Sequence, residues 1–211
     1  MRTEDLILRL ADDAGPAPSV RKGLLAALGP ALLATLALVL LGWGPRPGLW
    51  QVLADPLVGA KVALPTLASI AAMGGSLALA RPEGRVAGAF AVLAGVALGC
   101  LGLLALSLIE TPSVGWGAAL RGQTRAACLV SIPAIAILPT SALIAALRRG
   151  ASTRPALSGA LAGLGGGAAA AALYALHCPE DDPLFYVTWY GTGILLVGAL
   201  GALAGRRWLR W

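Results

Sequence analysis

The stretch ALSGALAGLGGGAAAAALYAL, residues 156–176, runs straight into HCPEDDPLFYVTWY, residues 177–190. The first part carries no charged side chain and has the length a helix needs to cross a hydrocarbon layer of about 30 Å. The second part is the only connecting segment that holds acids and neither Lys nor Arg. It also contains the single histidine, one of three cysteines and four of the eleven Phe, Tyr and Trp residues. A spanning helix that ends in an acidic, aromatic turn is the reading that organises the chain, and the turn is where a sensor of the exterior is expected.

Working outward, five more apolar runs of similar length appear: Leu24–Trp43, Val62–Ala80, Val86–Ile109 and Ala126–Leu147 before this pair, and Phe185–Ala204 within and after it. Composition agrees. The chain is 58% hydrophobic, 12% charged and has a mean hydropathy of +0.80, whereas a soluble domain carries about 25% charged residues. The fold class expected is all-α, a polytopic six-helix transmembrane bundle in the lipid bilayer. Residues 1–23 form an N-terminal segment, 24–205 the membrane domain and 206–211 a basic tail.

Orientation follows from the basic residues, which gather on the cytoplasmic side of membrane proteins. Arg2, Arg9, Arg21 and Lys22 precede the first span, Arg81 and Arg85 follow the second, Arg148, Arg149 and Arg154 follow the fourth, and Arg206, Arg207 and Arg210 follow the sixth. The alternate loops hold only Arg46, Lys61, Arg121 and Arg125. Both termini are therefore expected in the cytoplasm. The net charge of +6 has the same cause, so direct nucleic-acid binding is not expected. Trp43, Trp50, Trp116, Trp189 and Tyr190 fall where an outer interfacial belt belongs, with Trp208 and Trp211 at the inner one.

Residues 3–10 read as a short helix, with Thr3 as N-cap and Glu4 and Asp5 in the first turn, where the helix dipole favours acids. Leu6, Ile7 and Leu10 share one face. The helix is expected to end near Ala14-Gly15-Pro16, with GPAPS as a tether, and no secretory signal is expected. A short acidic amphipathic helix suits a basic cytoplasmic partner better than anionic lipid.

Within the spans, Gly159, Gly163 and Gly167 recur every four residues, as do Gly95 and Gly99. Such stripes let helix backbones approach closely, in internal contacts or in a dimer face, and internal contacts are the expectation. GLGGG at Gly163–Gly167 lacks the Lys-Ser/Thr of a phosphate loop. Pro133 and Pro139 are expected to bend the fourth span. No charged residue lies inside the six runs, which argues against a channel or ion-coupled transporter.

Cys128 lies at the outer start of the fourth span and Cys178 at the outer end of the fifth. These spans are antiparallel neighbours by their short connection, so the two thiols are expected at similar depth. They form a candidate site for oxidation or for a soft metal ion, with His177, Glu180, Asp181 and Asp182 as further ligand candidates. The alternative is a pair of small interfacial residues beside a solvated turn. Cys100, mid-span, reads as a core residue. One histidine, no paired intramembrane acids and no Ser-His-Asp set leave no support for an enzyme.

The TEDLILRLADD segment, the six spans, Cys128 and the HCPEDDPLFYVTWY block with Cys178 together resemble the NrsF-type bacterial membrane anti-sigma factors, over essentially the whole chain. The resemblance implies an inner-membrane regulator that holds an extracytoplasmic-function RNA polymerase sigma factor on its cytoplasmic side. Cys128 and Cys178 would then be the sensing pair, releasing the sigma factor under metal or oxidative stress. The N-terminal helix, with Asp5, Leu6, Ile7 and Leu10, would make the sigma contact. No cofactor is implied beyond a transient soft metal ion at Cys128, His177 and Cys178. The rival readings are a small transporter or channel, which predicts solute flux, and a membrane thiol oxidoreductase, which predicts turnover with a quinone or partner thiol.

Overall fold

The computed structural model describes residues 2–13 and 20–210, the side chains of Leu10 and Arg21 excepted. The GPAPS tether, the Leu10 side chain and Trp211 thus lie outside the described residues. Among those described, the chain is helical and contains no strand. Helix α1 (Thr3–Asp12) precedes α2 (Val20–Gly42); α3 (Leu49–Leu53) is a single short turn before α4 (Pro56–Ala78). Helix α5 (Ala87–Glu110), the brief α6 (Trp116–Arg121), α7 (Arg125–Leu147), α8 (Pro155–Tyr174) and α9 (Pro183–Trp208) follow. Six of them, α2, α4, α5, α7, α8 and α9, are long and apolar enough to cross a membrane.

Helix α8 is the axis. It is buried along most of its length and packs on α9, α4 and α7, while α2 lies on α7 and α5 on α4 and α9. Its glycines explain how one helix meets three others at once. A Cβ on Gly159 or Gly163 would run into the backbone of Gly201 and Gly205, or of Val197 and Gly198, on α9. One on Gly165 would strike Met73 of α4, and one on Gly166 would strike Thr140 of α7. Three successive glycines, Gly165–Gly167, therefore each face a different helix, and their missing side chains let the helices come into close dispersion contact. The expectation of internal contacts holds for this stripe. It does not hold in α5, where Gly95 faces open space and Gly99 meets only Leu64.

Several local expectations are corrected. Thr3 is not the N-cap: Arg2 takes that place in extended conformation, without a side-chain cap, and Thr3 is the first helical residue. The carboxylates of Glu4 and Asp5 in the first turn meet the dipole instead. The second span starts six residues earlier than the apolar run, at Pro56, with the Asp55 carboxylate accepting the Leu57 amide at 2.8 Å. An Asp N-cap followed by Pro at the first helical position is a strong start signal. Lys61 is consequently not a loop residue but lies inside α4, 1% exposed. Arg206 and Arg207 ride in the last turn of α9. Pro133 and Pro139 lie in the interior of α7, as the sequence placed them in the fourth span. Tyr190 is no interfacial aromatic; it is buried in the core, whereas Trp43, Trp50 and Trp116 are exposed.

The hairpin order brings the end of α2, the start of α4, the end of α5, the start of α7, the end of α8 and the start of α9 to one end of the bundle. The connections holding Arg81 and Arg85, and Arg148, Arg149 and Arg154, lie at the other, tied together where the Ala151 amide donates to the Ala80 carbonyl at 2.9 Å.

Candidate functional site

Residues 175–182 link α8 to α9 and form the hub of the first of these ends. The α8 chain closes with the Cys178 amide donating to the Tyr174 carbonyl, which places the Cys178 thiol beside the first turn of α7. There it meets Cys128, with the two Sγ atoms 3.8 Å apart and both side chains fully buried. Both are free thiols. Thr124, the N-cap of α7, places its hydroxyl 3.7 Å from the Cys128 sulfur and 3.9 Å from that of Cys178. Tyr174, Phe185, Tyr186 and Tyr190 close the apolar cluster around the pair.

Each acid of the turn ties a different part of the bundle. Glu180 Oε1 accepts the Gln123 and Thr124 amides at 2.6 and 3.2 Å, supplying a carboxylate to the start of α7. Asp181 takes the Arg46 guanidinium with both oxygens, at 2.6 and 2.9 Å. Asp182 caps α9 through the Leu184 amide and accepts the Ser107 hydroxyl at the end of α5, both at 2.8 Å. The turn is thus half-buried and fully engaged, unlike the solvated turn of the alternative reading.

Beneath it lies Lys61. Its ammonium donates to the carbonyls of Cys178 and Glu180, each at 2.7 Å, and reaches Asp181 at 3.4 Å. Three donors find three acceptors, which is how a buried ammonium escapes the penalty of lost hydration. The Tyr190 ring lies 5.8 Å from the same nitrogen. Arg46 adds a weaker contact to the Cys178 carbonyl, and its own amide donates to Leu176. Gly122, at φ +49°, is required on two counts: the left-handed backbone favours glycine, and a Cβ would enter the Phe185 ring.

The electrostatics follow. Hydrogen bonding from the Cys128 thiol and the nearby Lys61 charge push the Cys178 thiol below the ordinary cysteine range, against the opposing effect of burial. Hydrogen bonding to Asp181 raises Arg46 further. A thiol of this kind is the nucleophilic partner of a pair able to form a disulfide.

The structure brings together Cys128 and Cys178 but not the third proposed ligand. The His177 ring turns away, its Nδ1 3.0 Å from the Gly44 carbonyl, beside Trp43 and Tyr174. Glu180 and Asp182 are committed to helix starts. No group of three His, Cys, Asp or Glu stands at metal-ligand spacing among the described residues. Cys100 keeps apart and lines a cavity of about 70 Å³ with Lys61 and Tyr190. Asp5, Leu6 and Ile7 lie far from this end in sequence and are exposed on α1. Residues that sequence reasoning passed over are Lys61, Arg46, Ser107 and Gly122. The Asp55-Pro56 start signal was the clue that would have moved Lys61 into a helix.

Residues 10–211 match the family described as NrsF, negative regulator of sigma F. The chain is 40% identical to the anti-sigma-F factor NrsF of Caulobacter vibrioides over 220 aligned positions, covering all of both chains. It is 34% identical to the probable anti-sigma-F factor NrsF of Azospira oryzae over 213 positions, again covering both completely. No solved structure matches.

Proposed function

This chain belongs to the NrsF family of negative regulators of sigma F, and we propose that it is an inner-membrane anti-sigma factor whose release step is governed by Cys128 and Cys178. Both termini face the cytoplasm, and α1 docks an extracytoplasmic-function sigma factor there. The hub around residues 175–182 faces outward. Oxidation of the thiol pair, or capture of a soft ion that accepts two thiolates, shifts the bundle and frees the sigma factor.

The observation that carries this reading is the 3.8 Å approach of two buried thiols under a turn bonded to the ends of the other helices. A change of bond between the sulfurs cannot stay local, because residue 178 shares its backbone contacts with α4 and its turn with α5, α7 and α9. Support for docking through α1 comes from its exposure: Leu6 and Ile7 face solvent with Glu4 and Asp5 beside them. Asp and Glu compete well for a surface that otherwise meets phosphate. The family match begins at residue 10, so this assignment rests on the chemistry of α1 rather than on that match.

Co-purification from membranes tests it. Full-length protein is expected to retain a sigma factor that a variant lacking residues 2–13 loses. Peroxide is expected to release it from the wild type but not from Cys128→Ser or Cys178→Ser. Retention by the truncated form would remove α1 from the interface.

A further inference from the structure

We propose that Lys61 is the positioning residue that transmits the state of the thiol pair to the helix bundle, by anchoring the Cys178 backbone to α4. The inference rests on the thiol-pair reading above and goes on to say which contact carries the movement.

Closing the disulfide requires the sulfurs to come from 3.8 Å to about 2.05 Å. Two hydrogens leave the thiols with two electrons, the S–S bond forms, and a hydroperoxide oxidant is reduced to water and the corresponding alcohol, or to two waters from hydrogen peroxide. One of the two residues must move. Cys128 is set within α7, its amide bonded to the Thr124 carbonyl at 2.9 Å, in a turn already held by Glu180. Cys178 lies beyond the end of α8, outside any helix. It is the movable partner.

What Cys178 pulls on is written in its carbonyl contacts. The strongest is Lys61 Nζ at 2.7 Å, the same atom that holds Glu180 O and Asp181. The lysine side chain is buried and saturated, so it cannot swing to solvent without leaving three acceptors behind. Displacement of residue 178 therefore passes into α4. That helix has a soft point at the right place: Pro65 lies inside it and offers no amide to the Lys61 carbonyl four residues back. The first turns of α4 can tilt on the remainder. The charged groups facing the pair from neighbouring elements are Lys61 of α4, Arg46 of the α2–α3 connection, and Glu180 and Asp181 of the turn itself.

The test uses full-length protein in detergent, oxidised with hydrogen peroxide, with disulfide yield read by intact mass and hydrogen–deuterium exchange read over residues 56–64. Oxidation is expected to raise exchange there several-fold in the wild type. In Lys61→Met the disulfide forms but exchange over 56–64 stays at its reduced-state level, and Lys61→Arg restores the response. Pro65→Ala serves if Lys61→Met fails to fold: it gives the Lys61 carbonyl its helical amide and stiffens the soft point, so the disulfide forms and the rise over 56–64 is lost, and an undiminished rise overturns the proposal. An equal rise in the charge- and donor-free variant, or no rise in the wild type, overturns the proposal. Sigma retention is measured on the same samples: a response over residues 56–64 without loss of sigma factor would defeat the release mechanism and leave the role of Lys61 standing.

Discussion

Arg46 and Asp181 form a two-pronged ion pair, at 2.6 and 2.9 Å, that joins the α2–α3 connection to the α8–α9 turn across 135 residues. The guanidinium is 12% and the carboxylate 30% exposed. Forked geometry and partial burial put it above ordinary surface pairs, which are worth 0–1 kcal/mol. Asp181→Asn leaves Arg46 without its counter-charge and weakens the surroundings of Lys61 as well. A loss of about 2 kcal/mol is expected, larger than for Arg46→Gln, because Lys61 keeps the aspartate partnered in the latter. Melting in detergent measures both; equal losses would show that Lys61 contributes nothing to Asp181.

Glu180 holds the start of α7, and Cys128 lies in that helix's first turn. Glu180→Gln is expected to cost about 1 kcal/mol, the worth of a lost cap. Exchange of the amides at 123–128 and alkylation of Cys128 should both quicken. If alkylation is unchanged, the cap does not control access to the thiols.

Cys178 has its thiol lowered by Cys128 and Lys61. A group depressed in the folded state binds fewer protons there than in the unfolded chain, so its contribution to stability grows as pH rises toward the ordinary thiol range of about 8.5 and is lost as pH falls. Melting temperature should therefore increase with pH across the mildly acidic to mildly alkaline range, and this slope should flatten in Cys178→Ala. Cys128→Ala should move the alkylation profile of Cys178 to higher pH. An unmoved profile would show that Cys128 does not hold the thiolate.

The two glycine stripes should behave oppositely. Gly163→Ala forces α8 away from the α9 backbone at Val197 and Gly198 and is expected to cost about 1–3 kcal/mol. Gly95→Ala meets open space and is expected to be neutral or to gain up to about 1 kcal/mol from helix propensity. Melting of the two variants side by side decides whether close approach or mere small size matters in this fold.

The contrast also shows what the sequence could reveal. Hydropathy alone located all six long helices, because a stretch able to cross a bilayer is marked by its length and lack of charge. Antiparallel order put Cys128 and Cys178 at one depth, and the structure brings them into contact. The misreadings share a cause: they depend on what a residue faces. Lys61 continues an apolar run on its N-terminal side, so a charge marked a boundary that Asp55 and Pro56 actually set. Gly95 and Gly163 have the same spacing, yet only one has a helix against it. Tyr190 and the acids of 180–182 look like interface and solvent groups until Arg46, Lys61 and the helix starts at 124 and 183 are placed around them.

The hub also imposes an order on how the protein is made. Lys61 is made as part of α4, while Asp181 and the carbonyls of residues 178 and 180 are synthesised about 120 residues later. At about 5–20 residues per second, the ammonium waits roughly 6–24 s for its partners. The packing of α4 must therefore be completed, or corrected, by the arrival of the α8–α9 hairpin. A ribosome stalled before residue 178 leaves the Lys61 charge of α4 without a mate, a ready mark that distinguishes unfinished chains from complete ones.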